Sequence, residues 1–153
     1  MRVLFSIFIL LVITLGCSNM EPRAIAYGNA ECAHCSMMVT DQKFGAELIT
    51  DKGRYYFFDS AECMFEYMAE NENSTYSHIL ITPFLQPSTL ADAKTSFFLI
   101  SEGIPSPMGA SLSAYSTLEE AKTQATMHGG EVYNYSQILD NYKIGAGAAQ
   151  QPI

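Results

Sequence analysis

The run Tyr55-Tyr56-Phe57-Phe58 is aromatic at every position. Successive side chains of a strand point to opposite faces, so a run like this suits a strand covered on both sides. Before it stand Asp51-Lys52-Gly53-Arg54, a turn sequence whose glycine can take positive φ, and a weakly alternating stretch from Gly45 to Thr50. Together they predict a β-hairpin. Asp59 and Ser60 are candidate N-caps for a helix from Ser60 to Asn71. In that helix Ala61, Met64, Phe65 and Met68 make one apolar face, with Cys63 and Tyr67 beside it. After a polar break at 71–74, a third strand is expected from His78 through Ile81 to Leu85, bounded by Pro83 and Pro87.

The second half repeats this order. Thr95 to Ile100 reads as a buried strand, and the loop Ser101 to Gly109 contains two prolines and two glycines. Ser111 to Ser116 alternates as a strand. Ser116 and Thr117 stand three residues before Glu119 and Glu120, the spacing of a capping box, and Leu118, Ala121 and Ala125 mark the helix's inward face. His128-Gly129-Gly130 ends that helix, Glu131 to Tyr135 is the last strand, and a short helical turn is expected over Ser136 to Tyr142. The expected fold class is α+β, two small ββαβ units over 25–88 and 89–142. Neither half has much core of its own, so the two are expected to pack together. The tail 143–153 is small and polar and is expected to lack structure.

Ahead of the hairpin lies the densest chemistry, Cys32-Ala33-His34-Cys35-Ser36-Met37-Met38. Thiolate and thioether sulfurs are soft donors that favour Cu(I) over hard cations. A Cys-x-x-Cys pair alone also fits a structural disulfide, a redox pair or half of a zinc site. A zinc site would need Cys63 and one of His34, His78 or His128 to close a tetrahedron. The redox reading lacks the usual βαβ context. Met37 tips the balance toward copper: on an extended backbone Cys35 and Met37 point the same way and can converge on one ion. Met108, in the stiff Pro107-Met108-Gly109 loop, is either a further ligand or a plug between the halves. Met38 alternates away and is expected to pack. Met64 and Met68 are explained by helical periodicity as core. His34 is a ligand candidate or an exposed residue, Asp59 reads as a cap, and Cys63 reads as a buried, inert thiol.

The chain begins with Met1-Arg2 and an apolar run from Val3 to Leu15, followed by Gly16-Cys17. This reads as a signal peptide over 1–16, too short to span a bilayer. Ile13-Thr14-Leu15-Gly16-Cys17 resembles a bacterial lipobox, with Thr14 where Leu is more usual, so Cys17 is the expected lipidation site and 17–24 a polar tether. An ordinary secretory signal or an uncleaved anchor are the alternatives. All three place the rest outside the cytoplasm. Apart from Cys17, three cysteines remain, an odd number in an oxidising compartment, so at least one thiol is free, metal-bound or paired between chains. The formal net charge of −8 carries no basic stripe, which argues against nucleic acid as a partner. No Gly-x-Ser-x-Gly, phosphate loop or obvious carboxylate pair points to catalysis.

From about Cys32 to Leu139 the chain resembles the NosL family, copper-chaperone lipoproteins that accompany nitrous oxide reductase. The resemblance rests on Cys35-Ser36-Met37 (family pattern Cys-Gly-Met), Tyr56-Phe57-Phe58-Asp59, Pro107-Met108-Gly109 and His128-Gly129-Gly130, in that order and at these separations. It implies paired ββαβ units and a single Cu(I) held by Cys35, Met37 and Met108. Cys32 matches only part of the family and, with His34 and Cys63, ranks second as a ligand. Ser36 stands where the family usually has Gly. The implied function is delivery of copper, without catalysis, to a cuproenzyme such as nitrous oxide reductase. Its setting would be a periplasm-facing membrane, beside the assembly or transport complex, with the chain itself a monomer. The rival functions are an extracytoplasmic thiol-disulfide oxidoreductase using Cys32 and Cys35, and a zinc-stabilised binding module.

Overall fold

A computed structural model describes residues 20–145. The expected signal peptide, Cys17 and the tail beyond 145 lie outside the described residues. The chain is α+β and holds two antiparallel sheets. The first contains β1 (Ala46–Thr50), β2 (Tyr55–Phe58), β3 (Tyr76–Ile81) and β4 (Ala91–Asp92), in the order β2-β1-β3-β4. The second contains β5 (Phe97–Ile100), β6 (Leu112–Tyr115) and β7 (Glu131–Asn134), in the order β6-β5-β7. Each unit therefore puts its first full strand in the middle, flanked by the next two. Helix α1 (Ala61–Glu70) follows β2, α2 (Leu118–His128) follows β6, and α3 (Tyr135–Gly145) follows β7.

The helix starts are those expected from the side-chain chemistry. Ser60 caps α1, its hydroxyl accepting from the Cys63 N–H at 3.4 Å. Thr117 and Glu120 close a reciprocal capping box on α2. At the far end of α2, Gly130 has φ +100°, and a Cβ there would collide with the Ile100 carbonyl, so only glycine lets β7 leave beside β5.

The two halves share one core. Ala46, Leu48, Phe58, Met64 and Phe65 from the first unit pack with Phe98, Leu112, Ala114 and Ile138 from the second. Phe65 sits among the rings of Phe98, Tyr135 and Tyr142. A smaller cluster of Phe44, Leu99, Ile104, Tyr115 and Ala121 lies between the other face of the second sheet and α2. Burial of this kind is the main stabilising term, and here it fuses the units into one body.

Several details differ from expectation. β2 is an edge strand, so of its four aromatics only Phe58 is fully buried. β3 stops at Ile81, because Pro83 cannot donate to a ladder. Thr95 closes a short 3-10 turn, not the start of β5. α3 extends beyond a single turn because Ile138, Leu139 and Tyr142 recur at helical spacing toward the shared core. Residues 20–25 lie along the first sheet. The Arg23 N–H donates to both Glu47 carboxyl oxygens at 3.2 and 3.3 Å, its guanidinium covers the Tyr55 ring at 3.8 Å, and Ile25 is buried. No helix among the described residues is long and apolar enough to cross a membrane.

Candidate metal centre

The Cys-rich segment is a narrow hairpin. Val39 N–H donates to the Ala30 carbonyl (2.9 Å) and Cys32 N–H to the Met37 carbonyl (2.8 Å), and Ser36 N–H closes the tip onto the Cys32 carbonyl (3.0 Å). Ile25, Cys32 and Val39 anchor it in the shared core, while Ala33 N–H donates to the Phe57 carbonyl at 2.8 Å. That last bond carries the tip to the β2–α1 junction. Ser36 lies at φ +61°, the left-handed region that favours glycine. The extended backbone expected across Cys35 and Met37 is therefore absent. A turn separates them, because the tip must reverse direction within four residues.

At the junction three chain segments converge. Cys32 and Cys35 come from the hairpin, Asp59 from the end of β2, and Cys63 from the first turn of α1. One donor atom from each lies within 4.8 Å of every other. Cys32, Asp59 and Cys63 are buried and Cys35 is half-buried. All three thiols are free. The neighbouring Cys63 thiol and nearby backbone N–H groups hold the Cys32 thiol far below its ordinary range, whereas the proximity of Cys32 and burial push the Cys63 thiol up. Desolvation raises Cys35 and also Asp59, whose carboxyl takes a long contact of 3.9 Å from the Cys35 thiol.

Asp59 is thus not the cap. Ser60 is, which leaves the Asp59 carboxyl turned toward the sulfurs. Cys63 is buried as expected but not isolated from the chemistry. Helical periodicity set it beside the apolar face without showing that the hairpin lies against that side. His34 is half-buried, and one of its ring nitrogens lies within 4.8 Å of both the Cys63 sulfur and a Glu66 carboxyl oxygen. Its ring lies between two carboxylates of α1, with Nδ1 3.4 Å from Glu66 and Nε2 3.3 Å from Glu70.

The methionines sit differently. Met37 is 50% exposed and Met108 37%, and neither belongs to an apolar cluster. Met108 therefore does not plug the interface between the halves. Met38, expected to pack, is 49% exposed, because its pairing with Glu31 keeps it on the outer arm of the hairpin. Met64 is fully buried and Met68 partly so.

The loop carrying Met108 is tied to the same end of α1. Buried Glu62, next to Cys63, accepts from the Ser106 hydroxyl and from the Ala110 N–H at 3.0 Å with one carboxyl oxygen. These anchors stand two residues before and two after Met108. Nothing in the sequence pattern marked Glu62, an acidic residue in a first turn, as anything but solvated.

The family model for NosL matches residues 24–143. The chain belongs to the NosL family. A curated relative, the copper-binding lipoprotein NosL of Stutzerimonas stutzeri, is 27% identical over 129 residues, spanning 78% of this chain and 67% of the relative. The crystal structure of the copper chaperone NosL from Shewanella denitrificans superposes with a TM-score of 0.68 at 20% identity, covering 77% of this chain and 95% of that one. At that identity the match establishes the shared fold.

Proposed function

We propose that this NosL-family chain is a membrane-anchored metallochaperone that carries one Cu(I) on Cys35, Met37 and Met108 and hands it to a cuproenzyme. Nitrous oxide reductase is the proposed client. The observation that carries the reading is the exposure of Met37, two residues from half-buried Cys35, and of Met108, whose loop Glu62 ties to the end of α1 that carries Cys63, in a family whose relatives are named for copper. A large apolar side chain at 50% exposure has no packing role, whereas a thioether there can offer sulfur to a soft ion.

Delivery follows from the donor set. One thiolate and two neutral thioethers give Cu(I) a site without net charge, and three donors leave one side open. An incoming thiolate or imidazole attacks from that side, and the thioethers, the weaker donors, leave first. The ion changes hands without being set free, and no bond in either protein is oxidised or reduced. A lipid on Cys17 would confine this exchange to the membrane face, beside a transporter or the reductase being loaded. One acyl chain binds a bilayer only marginally, so a stable anchor needs more than one.

The test is an oxygen-free Cu(I) competition titration of residues 18–153 against a chromophoric chelator, comparing wild type with Cys35→Ala and Met108→Leu. One tightly held Cu(I), weakened in both variants, supports the site as drawn. Binding that survives Met108→Leu but not Cys35→Ala moves the third ligand to Cys32, His34 or Cys63. No retained copper, with Cys32 and Cys35 cycling to a disulfide, would leave the oxidoreductase reading standing.

A further inference from the structure

We propose that Met37 and Met108 are sites of reversible oxidation, at which a peroxide switches off copper uptake without unfolding the chain. Thioethers in a folded protein oxidise according to how far solvent reaches them. Met37, Met38, Met108 and Met127 are exposed, and none of them belongs to an apolar cluster. Met64 is fully buried in the shared core, and Met68 packs against that core from its edge. The described residues thus hold four accessible sulfurs and, in Met64, a shielded one for reference.

The exposure of the two proposed ligands is built into the backbone. Met37 stands at the tip of the hairpin, where its carbonyl accepts from the Cys32 N–H at 2.8 Å and the Ser36 N–H donates to the Cys32 carbonyl at 3.0 Å. Met108 sits between two anchors, since the Ser106 hydroxyl and the Ala110 N–H both donate to one carboxyl oxygen of buried Glu62. Pro107 before it and Gly109 at φ +83° after it fix the course of the turn. Neither segment is free to fold its thioether into the core. The pinning that presents these sulfurs to copper presents them equally to oxidants.

The reaction needs only a peroxide. Its O–O bond breaks, one oxygen bonds to the thioether sulfur and the other leaves as water; the sulfur gives up two electrons and the peroxide takes them. The sulfoxide sulfur, now bonded to oxygen, is a poor donor, and its oxygen is a hard one mismatched to Cu(I). In a core the added polar oxygen would break packing. These two side chains have no such packing to lose, so the fold survives and the change is confined to the metal site. It is also reversible, because methionine sulfoxide reductases return the thioether, one enzyme for each sulfoxide epimer. A bound soft ion protects the two ligands by occupying the lone pair that the oxidant attacks. The loss of copper rests on the copper site proposed above; the modification itself stands on exposure alone.

The test treats metal-free residues 18–153 with hydrogen peroxide, restores the thiols with dithiothreitol, and removes both reagents before an oxygen-free Cu(I) competition titration. Peptide mass spectrometry should find the oxygen adduct on Met37, Met38, Met108 and Met127, with Met64 at least about tenfold slower. Circular dichroism and the urea midpoint should match the untreated chain, while Cu(I) affinity falls by at least about tenfold. Sulfoxide reductases of both epimer classes should restore that affinity. The double variant Met38→Leu, Met127→Leu should lose copper on oxidation as wild type does, which assigns the loss to Met37 and Met108. Ag(I), a soft ion that does not cycle with peroxide, should slow adduct formation at Met37 and Met108 alone. Met64 oxidised as fast as the rest, or a lower urea midpoint, overturns the proposal, since the damage would then run through unfolding. Cu(I) affinity that the adducts leave unchanged, or that the reductases do not recover, overturns it as well. An untreated chain that binds no Cu(I), yet shows the same adduct pattern and an unchanged fold, would leave the two modification sites standing and sink the copper function alone.

Discussion

Glu62 joins two parts of the proposed copper site that are far apart in sequence. Its side chain holds Ser106 and Ala110, and so the loop between them, while its backbone sits next to Cys63. Glu62→Ala leaves a buried hydroxyl and a backbone N–H without an acceptor, which should cost about 2–3 kcal/mol in a urea unfolding experiment. The same change should weaken Cu(I) in wild type but not in a Met108→Leu background, because both act through one thioether. Equal weakening in the two backgrounds would make Glu62 merely structural. Ser36 poses the opposite question. The family pattern places Gly there, and φ +61° explains why. A non-glycine residue in this region costs about 1–2 kcal/mol, part of which Gly loses again through unfolded-state entropy. Ser36→Gly should therefore raise stability by up to about 1 kcal/mol and keep Cu(I) affinity, whereas Ser36→Val should lower both. At this scale Cys35 and Met37 stand out as candidate soft donors by side-chain type and spacing, whereas Met108 reads equally as ligand or plug until the family resemblance is added, and the three remain a proposed ligand set. Asp59 and Glu62 do not stand out, because a carboxyl at a helix start has a sufficient explanation as a cap or a solvated charge.

Elements whose function is to pack were legible almost to the residue. α1, α2 and the central strands β1 and β5 follow apolar periodicity and capping chemistry, both local properties of the chain. β4 escaped notice because it has two residues and exists only through its pairing with β3. The sharpest exception is Glu47, a charged residue in the middle of β1 that is fully buried. Alternation places it opposite Phe57 and Leu80, on the face that residues 20–25 cover, and only the tertiary fold reveals that cover. Burial pushes the Glu47 carboxyl up from 4.5 to about 7, against the pull of the Arg23 N–H and charge. The folded protein thus binds more protons than the unfolded chain between these values. Glu47 contributes its full stability below about pH 4.5 and loses it as pH rises through about 7, a swing of up to about 3 kcal/mol. Urea midpoints of Glu47→Gln should lack the part of the decline that wild type shows across this window. Parallel curves for the two proteins would mean that the carboxyl titrates as an ordinary surface acid.

For the molecule as a whole, the arrangement concerns where a copper carrier is allowed to be. Residues 20–25 lie along the first sheet from Met20 onward, and the Met20 sulfur accepts from the Ser77 hydroxyl of β3 at 3.9 Å. Cys17 is three residues earlier in the sequence, a reach of about 10 Å at most. A lipid on Cys17 would thus hold the outer face of the first sheet close to the bilayer. The hairpin that carries Cys35 and Met37 is fixed to β2 of the same sheet and would travel with it. With a formal net charge of −8, the body has no electrostatic attraction of its own to an anionic membrane surface. Under the proposed lipoprotein reading, attachment would therefore depend on the lipid. Cys17→Ser expressed in cells should move from the membrane fraction to the soluble extract, and the recovered protein should bind Cu(I) as wild type does, since Cys17 lies outside the site. The copper content of the client enzyme should fall in those cells, because a carrier released into the bulk meets its donor and acceptor only by diffusion. If Cys17→Ser stays with the membrane, the apolar run from Val3 to Leu15 is an uncleaved anchor, and the lipobox reading is wrong. If it becomes soluble and the client is still fully loaded, confinement to the membrane is not what makes delivery work.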